Sequence, residues 1–312
     1  MDCSTLEELK AKAESKRVEA MQGLSGLPGE GSAAKEVHCS DAVRGQSRRI
    51  WNELYNVIDC SDVVIHVLDA RDPPGTRCAS VEKYLDKHAP FKYLVYLINK
   101  VDLVPTGVTA RWLKAFSTKH PVLAYHSNSL TNFYGQENLI GLLRQYSHLK
   151  KRQVAVGFVG YPNVGKSSII NTLRRRVVCS VAPVPGQTKV YQYITLTKKI
   201  YLIDSPGVVP TSTLEEAVLR GAMRVENLED PEYFFMRVYE KAKDAMEKVY
   251  GISSVEALDF LEKYCRKFGK ISRGGVCNLD AASKLLLHDW IRGKIPFYVA
   301  PPSVEEEVPC TQ

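Results

Sequence analysis

The sequence predicts an α/β fold, a mostly parallel sheet with helices on both faces, followed by a small helical C-terminal domain. Three observations predict it. From about residue 48 to 204, apolar runs of four to eight residues alternate with amphipathic stretches of ten or more, the pattern of strands joined by crossover helices. From Thr213 onward only helical periodicity remains. Finally, 45% hydrophobic residues in a chain of 312 supply a sizeable core, which excludes wholesale disorder.

The elements follow in order. Residues 1–43 form an expected N-terminal extension, with a polar helix over 4–21 and a flexible connector from Gly23 to Ser32. Its start mixes acids and lysines and lacks the apolar stretch of a secretory signal. Arg48–Asp59 is predicted helical, with Ile50, Trp51, Leu54, Val57 and Ile58 on one face. Asp62–Ala70, Phe91–Asn99, Val122–Ser127 and Gln153–Gly160 are predicted strands; Cys78–His88, Thr109–Lys119 and Gln136–Leu149 are helices between them. A glycine-rich turn then leads into a helix over Gly165–Arg175, and strands near Val190–Leu196 and Lys199–Ile203 complete the sheet. The expected domains are 44–212 for the α/β part and 213–302 for the helical part, with an acidic, proline-containing tail over 303–312. In the helical part, Ser253 and Glu256 have capping-box spacing ahead of a stripe of Leu258, Leu261, Cys265 and Phe268.

Composition narrows the function. No run of about 18 uncharged apolar residues occurs, so no membrane span is expected. The eight cysteines are scattered without C-x-x-C spacing, which argues against a disulfide framework or zinc site. The net charge is +7 but uneven. Residues 150–199 hold ten Lys/Arg and no acid, and residues 263–294 hold eight Lys/Arg against Asp280 and Asp289. Two basic blocks on an otherwise acidic chain suggest polyanion binding at two places.

The strongest motif is GYPNVGKSS, Gly160–Ser168. It matches G-x-x-x-x-G-K-[ST] and stands between a strand and a helix, where a phosphate loop belongs. Gly160 and Gly165 let the backbone, including Asn163 and Val164, turn its N–H groups toward phosphate oxygens. Lys166 can reach the β- and γ-phosphates, and the Ser167 hydroxyl, beside Ser168, can ligate Mg²⁺. DSPG, Asp204–Gly207, supplies a second anchor: Asp204 for Mg²⁺ and the Gly207 N–H for the γ-phosphate. Between them Thr188, in PVPGQTK, is the candidate switch threonine that closes over metal and phosphate; Thr195 and Thr197 compete for that role.

Base choice is carried by NKVD, Asn99–Asp102. The Asp102 carboxylate can accept from guanine N1–H and its exocyclic amine together, a donor pair adenine lacks. Asn99 can bond the other edge of the base, and the Lys100 stem can lie along its face. HSNS, His126–Ser129, offers Ser127 and Asn128 as the place for a backbone N–H to the guanine carbonyl.

These boxes occur in an unusual order, with the base-reading boxes ahead of the phosphate loop. The chain therefore resembles a circularly permuted P-loop GTPase of the ribosome-assembly kind. Permutation is physically permissible where the original termini lie close together at the surface. Arg49–Cys78 and Asn278–Tyr298 look like the lead-in and C-terminal signatures of the nucleolar GTP-binding protein 2 group, and the resemblance extends over roughly residues 44–302. Family members often carry longer extensions at both ends. The resemblance implies GTP hydrolysis with Mg²⁺, action on the large ribosomal subunit precursor, including rRNA and ribosomal proteins, as a monomer on the particle, and residence in the nucleolus or nucleus.

Many GTPases place a Gln directly after D-x-x-G to orient the attacking water. Here Val208 stands there, which excludes water positioning from this site. Asn163 resembles the asparagine that coordinates K⁺ in potassium-stimulated GTPases, so weak intrinsic turnover raised by K⁺ and by the particle is expected, with Lys166, Thr188, Gly207 and Asn163 as its machinery. In Asn278–Trp290, an apolar stripe of Leu279, Ala282, Leu286 and Trp290 lies opposite a basic one of Lys284, His288 and Arg292. With Lys263, Arg266, Lys267, Lys270 and Arg273, the basic stripe is the candidate for rRNA phosphates. Two alternatives stay open: an RNA-binding placeholder whose GTP is structural and whose turnover is incidental, and a signalling or vesicle GTPase.

Overall fold

The computed structural model describes residues 41–302 except 128–132, 183, 189, 210–212 and 273–274, with side chains from Arg49 onward. Asn128, Arg273, the acidic tail and residues 1–40 of the expected extension lie outside the described residues. The elements of the α/β part are α1 (Asp41–Cys60), β1 (Val63–Asp69), α2 (Pro73–Thr76), α3 (Ala79–His88), β2 (Tyr93–Asn99), α4 (Thr106–Phe116) and β3 (Val122–Ala124). There follow β4 (His126–Ser127), β5 (Phe133–Tyr134), α5 (Gln136–Lys150), β6 (Val154–Gly160), α6 (Lys166–Arg174), β7 (Gln192–Thr197) and β8 (Ile200–Asp204).

Six strands form one sheet in the order β3-β2-β1-β6-β8-β7. All neighbours are parallel except β7, which runs antiparallel to β8 at the edge. The predicted strand over Val122–Ser127 divides, because β4 leaves the sheet to pair with β5 in a small hairpin-like ribbon.

Sheet position explains the residue patterns. Every residue of β1 and β6 is buried, as strands covered on both faces require, whereas only Ile194 is buried in the edge strand β7. Alternate side chains of β1 sort into two cores. Val63, Ile65 and Val67 pack with Leu139 and Leu143 of α5 and Ile169 and Ile170 of α6. Val64 and Leu68 pack on the other face with Leu54 and Ile58 of α1, Val81 and Leu85 of α3, and Trp112 of α4. Each such buried side chain contributes about 1.5–3 kcal/mol from burial before entropy is counted.

The C-terminal region is helical: α7 (Leu214–Leu219), α8 (Pro231–Tyr250), α9 (Ala257–Phe268) and α10 (Leu279–Arg292). They enclose a third core that includes Phe235, Val238, Phe260, Leu261, Leu286 and Trp290. Of the apolar stripe of α10, Ala282, Leu286 and Trp290 are buried and Leu279 is half-buried against the same core, and Asn278 caps that helix by accepting from the Ala281 N–H at 3.0 Å. The start of α9 differs from the capping-box expectation. Glu256 is itself the N-cap residue, and Ser254 rather than Ser253 bonds locally, donating to Asp259 Oδ2 at 2.7 Å. The helix is therefore rotated relative to the predicted stripe. Phe260, Leu261, Tyr264 and Cys265 face the core, while Leu258 and Phe268 are exposed. Among the described residues no helix is long and apolar enough to cross a membrane.

Candidate functional site

The predicted motifs gather because the parallel strands place their carboxyl ends on one edge of the sheet. Asp69 of β1 lies beside Asn99 of β2, Val67 beside Gly160 of β6, and Phe158 beside Asp204 of β8. The chain runs outward from β1 in one direction and from β6 in the other. That makes the β1/β6 boundary the topological switch point, where α/β sheets open a crevice for ligands. The cleft at this edge is lined by Asn163, Gly165, Lys166, Ser167, Ser168 and Thr188, with Gly207 across from them.

The phosphate loop carries its glycines for steric reasons. Gly165 adopts φ +98°, and a Cβ there would stand 2.4 Å from Asn99 Nδ2. Lys166 opens α6 and is buried, its Nζ donating to the carbonyls of Gly160 at 3.0 Å and Tyr161 at 2.8 Å. Burial pulls its ammonium down to about 8, against the opposing pull of Asp204. Asn163 also has positive φ, at 58°, and its amide donates to the Gly221 carbonyl at 2.7 Å, joining the loop to the segment after α7.

The three predicted magnesium ligands converge from separate segments. Ser167 Oγ donates to Asp204 Oδ2 at 2.7 Å, and Thr188 Oγ1 lies 3.3 Å from both that oxygen and Ser167 Oγ. Thr195 and Thr197 are held in β7, so Thr188 alone of the three candidates meets this cluster. Burial pushes the Asp204 carboxyl above the usual carboxylate range, partly offset by Ser167, Lys166 and Thr188. Its Oδ1 is buried without a hydrogen-bond partner among the described residues. A buried carboxylate with one oxygen unpartnered and two hydroxyls on the other suits a hard divalent cation such as Mg²⁺. The loop that follows is tied to the same place: Val208 N donates to the Gly160 carbonyl at 3.2 Å, and a Cβ on Gly207 would come within 2.7 Å of Pro162 Cα. Val208 itself is buried in the apolar core.

The base box is tied to the phosphate loop. The Asn99 amide spans to the phosphate loop, donating to the Val164 carbonyl at 2.7 Å while its Oδ1 accepts from Ser127 Oγ at 3.1 Å. Both ends of the Asn99 amide are thus bonded to protein groups. Lys100 takes a left-handed conformation with φ 63°, and its Nζ donates to Asp69 Oδ2 at 2.9 Å. Asp102 is partly exposed, with Oδ1 at 2.7 Å from His126 Nδ1. Neither Asp69 nor the His126 side chain figured among the predicted site residues. The signal for Asp69 was the charged turn DARDP directly after an apolar strand.

The basic stripe of α10 is more neutral than its sequence window suggested. Lys284 pairs with Asp280 at 3.0 Å, His288 lies 3.2 Å from Glu226, and Lys263 and Arg266 pair with Asp259 and Glu262. Lys267 caps α8 by donating to the carbonyls of Tyr250 and Gly251. Arg292 is exposed and Lys270 half-buried, without an ion pair among the described residues.

A mostly parallel sheet with a phosphate-loop motif after β6, a Ser167–Thr188–Asp204 cluster between α6 and β8, and the NKVD box preceding both in the chain defines a circularly permuted P-loop GTPase fold. A family model described as 50S ribosome-binding GTPase matches residues 155–261, starting within the strand that leads into the phosphate loop. The solved structure of GNP-bound YlqF from T. maritima superposes with a TM-score of 0.59 at 24% identity, covering 81% of this chain and 99% of that one. A GDP-bound YlqF structure gives 0.58 at 25% identity, covering 81% and 100%. Within this class the chain is similar to proteins named nucleolar GTP-binding protein 2. It is 50% identical to those of Candida glabrata and Saccharomyces cerevisiae over 97% of its length, and 53% identical to that of Yarrowia lipolytica over 84%. The chain spans 63%, 64% and 53% of the lengths of these relatives.

Proposed function

We propose that this chain binds GTP and GDP and hydrolyses GTP as an assembly factor of the large ribosomal subunit, in the nucleolus or nucleus. The observation that carries the chemistry is the meeting of Ser167, Thr188 and Asp204 beside Lys166 at the switch point of the sheet. The relatives' names and the 50S ribosome-binding family support the setting.

Asp102, open at the cleft rim, accepts from guanine N1–H and its exocyclic amine, while the Lys100 stem covers the base. Lys166 exchanges its two loop carbonyls for phosphate oxygens, so its charge, poorly solvated without ligand, is neutralised on binding. Ser167, Thr188 and Asp204 would hold Mg²⁺, which supplies charge neutralisation at the β- and γ-phosphates. Thr188 already lies beside Ser167 and Asp204, a γ-phosphate would hold its loop there, and Gly207 would donate its N–H to the same group. Loss of the γ-phosphate releases both, and because the chain passes from Gly207 directly into α7, the change is delivered to the helical region.

Turnover is slow in the isolated chain, because buried Val208 can orient no water. With its amide nitrogen on Gly221, Asn163 keeps Oδ1 for a monovalent cation, and K⁺ there would raise the rate. Pre-ribosomal particles, through rRNA and ribosomal proteins, supply the rest to a monomer of this chain. Arg292 and Lys270 are the rRNA contacts that need no prior ion pair to break; Lys263, Arg266, Lys267, Lys284, His288 and Arg273 complete the candidate surface.

The deciding experiment is calorimetry with GTP, GDP and ATP, followed by phosphate release in KCl and NaCl with and without pre-ribosomal particles. Guanine-selective binding and slow turnover raised by K⁺ and particles support the proposal; equal affinity for ATP, or fast cation-indifferent turnover, rejects it. Val208 also favours a second reading, an RNA-bound placeholder whose GTP is structural. A variant that binds GTP without hydrolysing it, and still matures ribosomes, would establish that reading instead.

A further inference from the structure

The turn after β1 holds a continuous polar chain that the nucleotide boxes do not account for. Asp69, 6% exposed at the end of β1, has both carboxylate oxygens fully engaged. Oδ1 accepts from the backbone N–H of Arg71 at 3.0 Å and its Nε at 3.1 Å. Oδ2 accepts from Arg71 Nη2 at 2.8 Å and from Lys100 Nζ at 2.9 Å. The remaining arm of Arg71 leaves the α/β part altogether, Nη1 donating to the carbonyls of Trp290 at 3.1 Å and Ile291 at 3.4 Å in the last turn of α10.

The physics of this chain favours a fixed geometry. A bidentate guanidinium–carboxylate pair is directional, and the carbonyl end of a helix attracts a cation. The two cations hold the Asp69 carboxyl far below the usual carboxylate range although burial pushes the other way. Lys100 is the residue whose stem would cover the purine, and a lysine stem is otherwise rotamer-rich, so fastening its Nζ removes freedom that binding would have to remove. Backbone register reinforces this, since Asp69 sits directly beside Asn99 and the Ala70 N–H donates to the Asn99 carbonyl at 2.9 Å.

We propose that Asp69 and Arg71 are a positioning pair for the purine-base subsite, holding the Lys100 stem in its base-covering pose and fastening that subsite to the C-terminal end of α10. The proposal rests on the guanine-nucleotide reading above. Its consequence is that the helical region backs the base as well as following the γ-phosphate.

The test is dissociation of a fluorescent GDP from the full 312-residue chain bearing Asp69→Asn, Lys100→Ala and both. Asp69→Asn is expected to raise Kd about tenfold, in line with a lost charge-assisted hydrogen bond. The same substitution in the Lys100→Ala background should add less than about twofold, because the pair acts through Lys100. Arg71→Ala should match Asp69→Asn, and Arg71→Lys, which keeps the charge but lacks the fork, should recover part of the loss. If Asp69→Asn does not fold, the Arg71 variants carry the same cycle with Lys100→Ala. Equal losses in both backgrounds, or lowered thermal stability with unchanged GDP affinity, overturn the pair while leaving nucleotide binding intact. Failure of the unsubstituted chain to bind GDP overturns the underlying reading and the pair with it.

Discussion

The Asn99 amide donates to the Val164 carbonyl at 2.7 Å, across 65 residues of sequence. One hydrogen bond therefore locks the base box at the end of β2 to the phosphate loop that follows β6, with β1 between them. Asn99→Ala leaves that buried carbonyl and the Ser127 hydroxyl unpaired. A loss of about 1–3 kcal/mol is expected for a buried partner left without its bond, read as a rise of about five- to 150-fold in the Kd for GDP. Gly165→Ala should do the same by contact, since its Cβ would collide with the same amide. Fluorescent-nucleotide titration checks both; wild-type affinity in either would show that the lock is dispensable.

Metal removal gives a second expectation. With Ser167 and Asp204 in the ligand set of the GDP complex, chelation of Mg²⁺ should speed GDP release by at least about tenfold. Ser167→Ala should release GDP in Mg²⁺ as quickly as the unsubstituted chain does in chelator. Stopped-flow traces with and without chelator distinguish this from a general loosening of the site, which would leave Ser167→Ala still responsive to chelation.

His66 sets a pH dependence of stability. It is wholly buried in β1, with Nε2 accepting the Cys78 N–H at 3.2 Å. Burial lowers its pKa to about 4, with Arg77 and Lys166 adding to the effect and Glu82 opposing it. Between its ordinary pKa and that lowered value the unfolded chain binds a proton that the folded chain refuses. The contribution is therefore complete above about pH 6.5 and lost as pH falls, amounting to about 2 kcal/mol by pH 5. Urea unfolding of the wild type and His66→Gln at pH 7.5 and pH 5 reads this directly. The stability gap between the two proteins should shrink or invert at pH 5, and a gap independent of pH would contradict the assignment.

The helical region is held by Trp290. Its indole N–H donates to the Leu219 carbonyl at 2.8 Å, and its ring packs on Phe297 with centroids 4.8 Å apart. Trp290→Phe keeps an aromatic ring and removes the donor, for an expected cost of about 1–3 kcal/mol in urea unfolding. Leu286→Ala, which empties a fully buried position on the same stripe, should cost more, about 2–5 kcal/mol. The reverse ranking would show that the stripe packs loosely.

Legibility differed from element to element for identifiable reasons. β1 and β6 were plain because strands buried on both faces are written as continuous apolar runs. The start of α9 was not, because Ser253 and Glu256 have capping-box spacing but the helix begins after Glu256 without a side-chain cap, and Ser254 turns its hydroxyl to Asp259. Net charge over 263–294 suggested a bare cationic face, yet partners such as Asp259, Glu262 and Glu226 lie outside that window and reach in through helix spacing and packing. Thr188 was one of three candidates by sequence; it became the one beside Asp204 once Thr195 and Thr197 were found fixed in β7.

By itself the sequence determined the chemistry available and the local shape that carries it. GYPNVGKSS between strand and helix dictates a phosphate loop, because its glycine turn and lysine act over a few residues. Only the tertiary structure decided which distant groups meet: Asn99 with Val164, Ser167 and Thr188 with Asp204, and Asp69 with both Lys100 and the end of α10 through Arg71. The reason is that hydrophobic periodicity records which face of an element is buried. Partnership across the cleft follows from strand order and register, which the whole chain settles as it packs.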